Sequence, residues 1–324
     1  NDDRVLPLSS TKYNKVAVIG EFATHPRFQG NGSSEVKPAQ LDKFLDIVEA
    51  EYGSDFEIAY ARGYDLEDDT DYSWIEEARD LAAASDIALI FAGLPQHYES
   101  EGVDRTHIDI PPSHHKLISA VASAQKHFVV VLTNGSAIAM PWLAEVPAVL
   151  EAWLGGQAGA GATAEVLFGQ VNPSGKLAET FPKRLEDTPA FLNFPGEDGN
   201  VIYGERIFVG YRYYDKREIE PLFPFGHGLS YTTFEYSDMK LSATAVTDRD
   251  ELTVLELEEQ QLSLLARLGH GADDRTVAEE HVIALRGGRG QQQTAQQQGV
   301  EDHELTSVIP MIARKLAAQP NPAP

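Results

Sequence analysis

Between Phe91 and Arg105 the chain reads Phe-Ala-Gly-Leu-Pro-Gln-His-Tyr-Glu-Ser-Glu-Gly-Val-Asp-Arg, so an apolar run gives way at once to Tyr98, Glu99, Glu101, Asp104 and Arg105. Two carboxylates two residues apart, delivered at the exit of a buried strand, suit general acid–base chemistry. In open α/β sheets, ligands bind outside the carboxyl ends of the strands, where this loop would lie. The competing reading is a solvated acidic loop, because a carboxylate becomes catalytic only where its surroundings perturb its pKa.

A second polar set follows an earlier apolar run. Lys15-Val-Ala-Val-Ile-Gly20 leads into Arg27-Phe-Gln-Gly-Asn-Gly-Ser-Ser34. Its glycines allow close backbone approach, and its arginine, glutamine and hydroxyls can hydrogen-bond a sugar or a phosphate. A dinucleotide fingerprint is the rival here. It lacks its third glycine, since Glu35 stands in that place, and its glycines come too late after the strand. Thr133-Asn-Gly-Ser136 is a third small, polar strand exit.

The elements that must position these loops follow from periodicity. Short β-branched or apolar runs at 15–20, 56–60, 86–92, 128–132 and 146–153 read as strands. Helical spacing appears in 38–51 (Leu41, Phe44, Leu45, Val48), in 73–84, in 113–124 behind Pro111 and Pro112, and in 162–168 after the glycine-rich stretch 155–161. This alternation predicts an α/β fold, a doubly wound, mostly parallel sheet of about five or six strands with helices on both faces. Beyond Gly169 the chain is rich in turns and aromatics, and we expect an extended wrap that buries Tyr203, Phe208, Tyr211, Tyr213, Tyr214, Phe225, Tyr231 and Phe234 against the sheet. His227, between two glycines and with no second ligand at metal spacing, reads as structural.

Composition narrows the function classes. With 324 residues, 42% of them hydrophobic, the chain can bury a sizeable core. Its 50 acidic and 26 basic residues give a formal charge of -24, which argues against nucleic acid or an anionic membrane as partner. The absence of cysteine excludes thiolate catalysis and cysteine-based metal sites. No metal or other cofactor is expected. No run approaches a membrane span and Asn1-Asp-Asp-Arg4 is no signal peptide, so a soluble, preferentially cytoplasmic protein is the expectation.

Taken in order, Asn1-Asp-Asp-Arg-Val-Leu-Pro-Leu8, Val16-Ala-Val-Ile-Gly20, Gln29-Gly-Asn-Gly-Ser-Ser34, Tyr98-Glu-Ser-Glu-Gly-Val-Asp-Arg105, Gly155-Gly-Gln157, Asn172-Pro-Ser-Gly-Lys-Leu177, Gly210-Tyr-Arg-Tyr-Tyr214 and Phe223-Pro-Phe-Gly-His-Gly-Leu-Ser-Tyr231 resemble the C-terminal half of glycoside hydrolase family 3 β-glucosidases over about residues 1–240. The resemblance implies hydrolysis of terminal non-reducing β-D-glucosyl residues, from β-glucosides or cello-oligosaccharides, by a retaining two-carboxylate mechanism. It assigns the acid/base to Glu101, with Glu99 as the alternative. Arg105 and Asp104 are expected to fix the loop by ion pairing, and Arg27, Gln29, Ser33 and Ser34 to position loops or rim the pocket. The family's nucleophile belongs to an N-terminal (β/α)8 barrel that nothing in this chain resembles, so the barrel is an expected partner and the chain alone is expected to be an incomplete enzyme.

Departures from the family pattern are Val103, where a tyrosine is usual, and Tyr203-Gly-Glu-Arg206, where relatives read Tyr-x-Glu-Gly. The resemblance divides the chain into a sandwich domain with its wrap, 1–235, and a region 236–324. There Tyr236–Ser242 looks like the first strand of a fibronectin type III-like domain, Glu251–Leu268 reads as a charged helix, 291–298 as low-complexity, and 305–316 as a short helix. The lost strand alternation favours a reading-frame shift over a divergent tail. Two other functions compete with the hydrolase: a noncatalytic glycan-binding module using the same three loops, and a flavodoxin-like nucleotide binder resting on fold analogy alone.

Overall fold

Five short strands line up in the order β2-β1-β3-β4-β5, all parallel. They are β1 (Lys15–Ile19), β2 (Glu57–Ala61), β3 (Ile87–Gly93), β4 (Phe128–Thr133) and β5 (Ala148–Glu151). The computed structural model describes residues 1–241, 251–261 and 277–286 of the chain. Strand β3 is buried along its whole length and β4 along all but its last residue, which is why both read as unbroken apolar runs. The register sets Val18 against Tyr60 on one side and Leu89 on the other, and Phe91 against Val131.

Helices cover both faces, as the alternation predicts. Helix α1 (Phe44–Tyr52) packs with α4 (Gly159–Leu167), and α2 (Ile75–Ala83) packs with α3 (Pro112–Ala124). Right-handed crossovers require this: the β1-to-β2 connection runs opposite to the β2-to-β3 and β3-to-β4 connections, so their helices fall on opposite faces. Boundaries differ from the sequence reading most at two helices. Helix α1 starts at Phe44, because the chain before it is extended through Lys43 and donates the Asp42 N–H to Gln157 O. Helix α4 begins inside the glycine-rich stretch, taking up Gly159 and Gly161.

The strand order reverses direction between β1 and β3. The connections leaving them diverge, opening a crevice at the carboxyl edge where this architecture holds ligands. Arg27 lies beyond β1, Glu99 and Glu101 beyond β3, and Gly135 and Ser136 beyond β4.

The wrap, 169–232, is tied down at a few points. Phe181 is buried and meets Trp153 edge-on, and its N–H donates to Phe223 O. The Tyr231 hydroxyl donates to Val166 O. Short helix α5 (Tyr211–Arg217) buries Tyr214. The expectation that the aromatics are buried holds for Tyr214 and in part for Tyr211, Tyr213 and Tyr231, whereas Tyr203, Phe208 and Phe225 are exposed. The side chain of Phe234 lies outside the described residues. Turn-rich backbone cannot present a periodic face, so only some of its rings reach the sheet. His227 lies half-buried against the Phe223 ring.

A separate unit holds an antiparallel pair, β7 (Glu251–Gln261) with β8 (Val277–Arg286), and beside β7 the strand β6 (Thr233–Leu241). The expected helix over Glu251–Leu268 is therefore corrected for Glu251–Gln261, which is a strand. Its residues pair in one unbroken ladder, from Glu251 opposite Arg286 to Gln260 opposite Val277, and cross-strand pairing outweighs the helix propensity of its glutamates and leucines. The rest of that expected helix, the 291–298 run and the expected helix at 305–316 lie outside the described residues.

Candidate active site

Three strand exits meet around one largely buried carboxylate, Glu99. Arg27 donates through Nη1 to Glu99 Oε2 (2.6 Å) and to Leu94 O (2.6 Å). The Gly135 N–H donates to the same carboxylate oxygen (2.8 Å), and the Ser136 hydroxyl donates to Oε1. Arg105 completes the ring, its Nη1 3.6 Å from Glu99 Oε1 and its Nη2 donating to Ala137 O (3.0 Å). Burial pushes the Glu99 carboxyl up, but the Ser136 hydroxyl, the Gly135 N–H and Arg27 together outweigh it and hold the group below its ordinary value. Glu99 is thus a locked anion joining the exits of β1, β3 and β4.

Glu101, two residues on, meets the loop after β1 instead. In a regular strand the two would share a face, but the Val103 N–H closes a turn onto Ser100 O (3.2 Å) and separates them. Glu101 is exposed and makes no ion pair among the described residues. Its Oε2 accepts the Ser33 N–H (2.7 Å), and the Ser33 hydroxyl and N–H leave its carboxyl below the ordinary glutamate value. In this chain the carboxylate stands in the open, so hydrogen bonding decides the direction.

Both glutamates open onto one cleft of about 460 Å³, walled also by Arg27, Asn31, Val103, Asp104, Arg105 and Ser136. Of the expected loop residues, Arg27, Asp104, Arg105, Glu99 and Glu101 all line it. Arg105 does pair, with Glu99, whereas Asp104 is exposed and makes no ion pair among the described residues, a correction to its expected role. Gln29 closes its own loop, exchanging two 3.0 Å hydrogen bonds with the Val36 backbone. Ser33 reaches Glu101 through its N–H, and Ser34 is exposed and outside the cleft wall.

The sequence reading misses two further carboxylates. Glu151, at the end of β5, accepts the Trp153 N–H (3.0 Å) and an Asn134 Nδ2–H (3.2 Å), and burial pushes its carboxyl up to about 8. Glu179, from the wrap, is also raised by burial, against the pull of the Ala137 N–H and Arg105. The signal for Glu151 was present: a carboxylate inside the otherwise apolar run 146–153. Among the described residues no group of three or more His, Asp or Glu could hold a metal ion, and no helix is long and apolar enough to cross a membrane.

Residues 1–231 match the glycosyl hydrolase family 3 C-terminal domain. The chain belongs to glycosyl hydrolase family 3. This family 3 chain is 54% identical over 255 residues to thermostable beta-glucosidase B of Acetivibrio thermocellus, covering 78% of itself and 34% of that protein. It is 46% identical over 252 residues to an exo-alpha-(1->6)-L-arabinopyranosidase of Bifidobacterium longum, covering 75% of itself and 33% of the relative. Among solved structures it is similar to the family 3 beta-glucosidase of Bifidobacterium adolescentis, with a TM-score of 0.74 and 38% identity over 89% of this chain and 43% of that one. The family 3 chain therefore spans about a third of the length of these two curated relatives.

Proposed function

We propose that this chain supplies the general acid/base of a retaining β-glucosidase, with Glu101 in that role and the nucleophile contributed by a family 3 (β/α)8 domain. The observation that carries the reading is the contrast within the cleft. Glu99 is locked between two arginines, two loops and a hydroxyl, whereas Glu101 stands exposed with no cation paired to it among the described residues. A proton shuttle must give and take its proton in every cycle, which a carboxylate held by Arg27 cannot do readily.

In the first step a carboxylate of the (β/α)8 domain attacks the anomeric carbon, the glycosidic C–O bond breaks, and Glu101 gives its proton to the departing oxygen. In the second, Glu101 takes a proton from water, the water oxygen bonds to the anomeric carbon, and the enzyme carboxylate leaves. A bound sugar and a facing domain would dry the exposed carboxyl and raise its pKa toward that of a working acid. Similarity to thermostable beta-glucosidase B supports terminal β-D-glucosyl residues as the substrate class.

The test joins the chain to a family 3 (β/α)8 domain and measures p-nitrophenyl β-glucoside hydrolysis. We expect cleavage by the joined protein and none by the chain alone. Glu101→Gln should cost roughly 10²-fold or more, the usual size of a proton-transfer contribution. With a dinitrophenyl leaving group, azide should restore turnover to that variant as glucosyl azide. Full activity in the joined Glu101→Gln protein would overturn the assignment.

A further inference from the structure

The loop after β1 does more than edge the cleft. The Glu101 N–H donates to Asn31 O (3.2 Å), while the Ser33 N–H donates back to Glu101 Oε2 (2.7 Å). Gln96 laces the same two loops from the other side, donating to Asn31 Oδ1 and Glu35 Oε1. Gly32 sits between these contacts at φ +108°, and a Cβ there would lie 2.5 Å from Glu101 Cβ and 2.8 Å from its Oε2. Position 32 therefore needs glycine twice over, for its backbone angle and for the space that Glu101 occupies.

A main-chain N–H aimed at a carboxylate oxygen favours one protonation state. A hydrogen bond to the anion is roughly twice as strong as one to the neutral acid. The contact also fixes which oxygen remains free toward the cleft. We propose that Ser33 is a positioning residue whose N–H holds Glu101 ionised and oriented for the water-activating half of the reaction, and that Glu101 must leave Ser33 to act as the acid in the first half. This inference rests on the role given to Glu101 above. Other charged groups facing the same space are Arg27, Glu99, Asp104 and Arg105 across the cleft, and Glu35 behind Gln96. Both arginines pair with Glu99 rather than with Glu101, and the lowering of the Glu101 carboxyl arises from the Ser33 hydroxyl and N–H.

The experiment is a ¹³C-carboxylate NMR titration of Glu101 in the full chain, the resonance being identified by its loss in Glu101→Gln. The wild type should titrate below an ordinary glutamate. Gly32→Ala, which pushes Glu101 away, and Ser33→Pro, which removes both the hydroxyl and the N–H, should both move the midpoint upward; Ser33→Ala, which keeps the N–H alone, should still titrate below an ordinary glutamate, and Ser33→Thr, which keeps N–H and hydroxyl, should leave it at the wild-type position. Thermal melts establish that each variant is folded. A wild-type midpoint in folded Gly32→Ala and Ser33→Pro overturns the proposal. In the chain joined to a (β/α)8 domain, with a dinitrophenyl glucoside, Gly32→Ala should lower kcat, which reports deglycosylation, by about tenfold or more while changing kcat/KM by about twofold or less. Equal losses in both would also overturn it. The two readings fail separately: an active joined Glu101→Gln protein removes the acid/base assignment, whereas a dead one beside an unmoved Gly32→Ala titration removes only the role of Ser33.

Discussion

The strand-exit loops and the wrap are both irregular backbone, yet they solve the burial problem in opposite ways. At the exits of β1, β3 and β4 the charged groups turn inward, and Arg27, Glu99 and Arg105 pair with one another largely shielded from solvent. In the wrap the apolar groups turn outward: Leu192 is 90% exposed and Tyr203 79%, while Phe181 and Tyr214 provide the buried anchors. Residue polarity alone therefore says little about which loop is pinned. One carboxylate, Glu99, ties three loops together, whereas only some of the eleven aromatics of the wrap reach the sheet.

The sharpest way to break this contrast is Glu99→Ala. It strands Arg27 as a buried, uncompensated cation, and we expect a loss of about 3–5 kcal/mol in urea unfolding. The acid side follows with a definite sign. Glu99 is held below its ordinary value, so its stabilisation is present above the unfolded pKa and is lost as pH falls through the folded one. Wild-type stability should fall on acidification more steeply than that of Glu99→Ala.

Phe181→Ala probes the wrap's own anchor, and truncation of a fully buried phenylalanine should cost about 3–4 kcal/mol in the same assay. A loss below about 1 kcal/mol would mean that the wrap is not held through this ring. Glu151 sharpens the comparison with Glu99, since it is a carboxylate at the same edge with no cation paired to it among the described residues. Its carboxyl is raised to about 8, so its contribution is present below the unfolded pKa and is lost as pH rises toward 8. Between pH 5 and pH 8, Glu151→Gln should gain on the wild type by roughly 2–4 kcal/mol, at about 1.4 kcal/mol per unit. The smallest effect is expected at Leu192→Ser, within about 0.5 kcal/mol of wild type, because that side chain lies in solvent. A larger loss would show that the outward apolar strip is packed in solution.

Much of the sheet was legible because burial on both faces leaves a local mark. Val16–Ile19, Ile87–Phe91 and Phe128–Leu132 are apolar without interruption, and each is a central strand of the parallel sheet. Family membership was legible for a related reason: the Phe223–Tyr231 and Ser100–Arg105 strings carry their turn and loop chemistry in contiguous residues, within the stretch that matches the family. The strand at Glu251–Gln261 was not, since its partner, Val277–Arg286, lies beyond the reach of any local pattern.

The candidate site divides along the same line. Sequence alone determined that carboxylates, arginines and glycines gather at strand exits, because residue types and the α/β alternation are local properties. Tertiary structure decided which of two glutamates, two residues apart, is locked and which is open. That choice depends on Arg27 lying 72 residues from Glu99, and on Ser33 lying 68 from Glu101. Those distances close only because the sheet places β1 beside β3, and a sequence read locally carries no energy term for a partner so far along the chain.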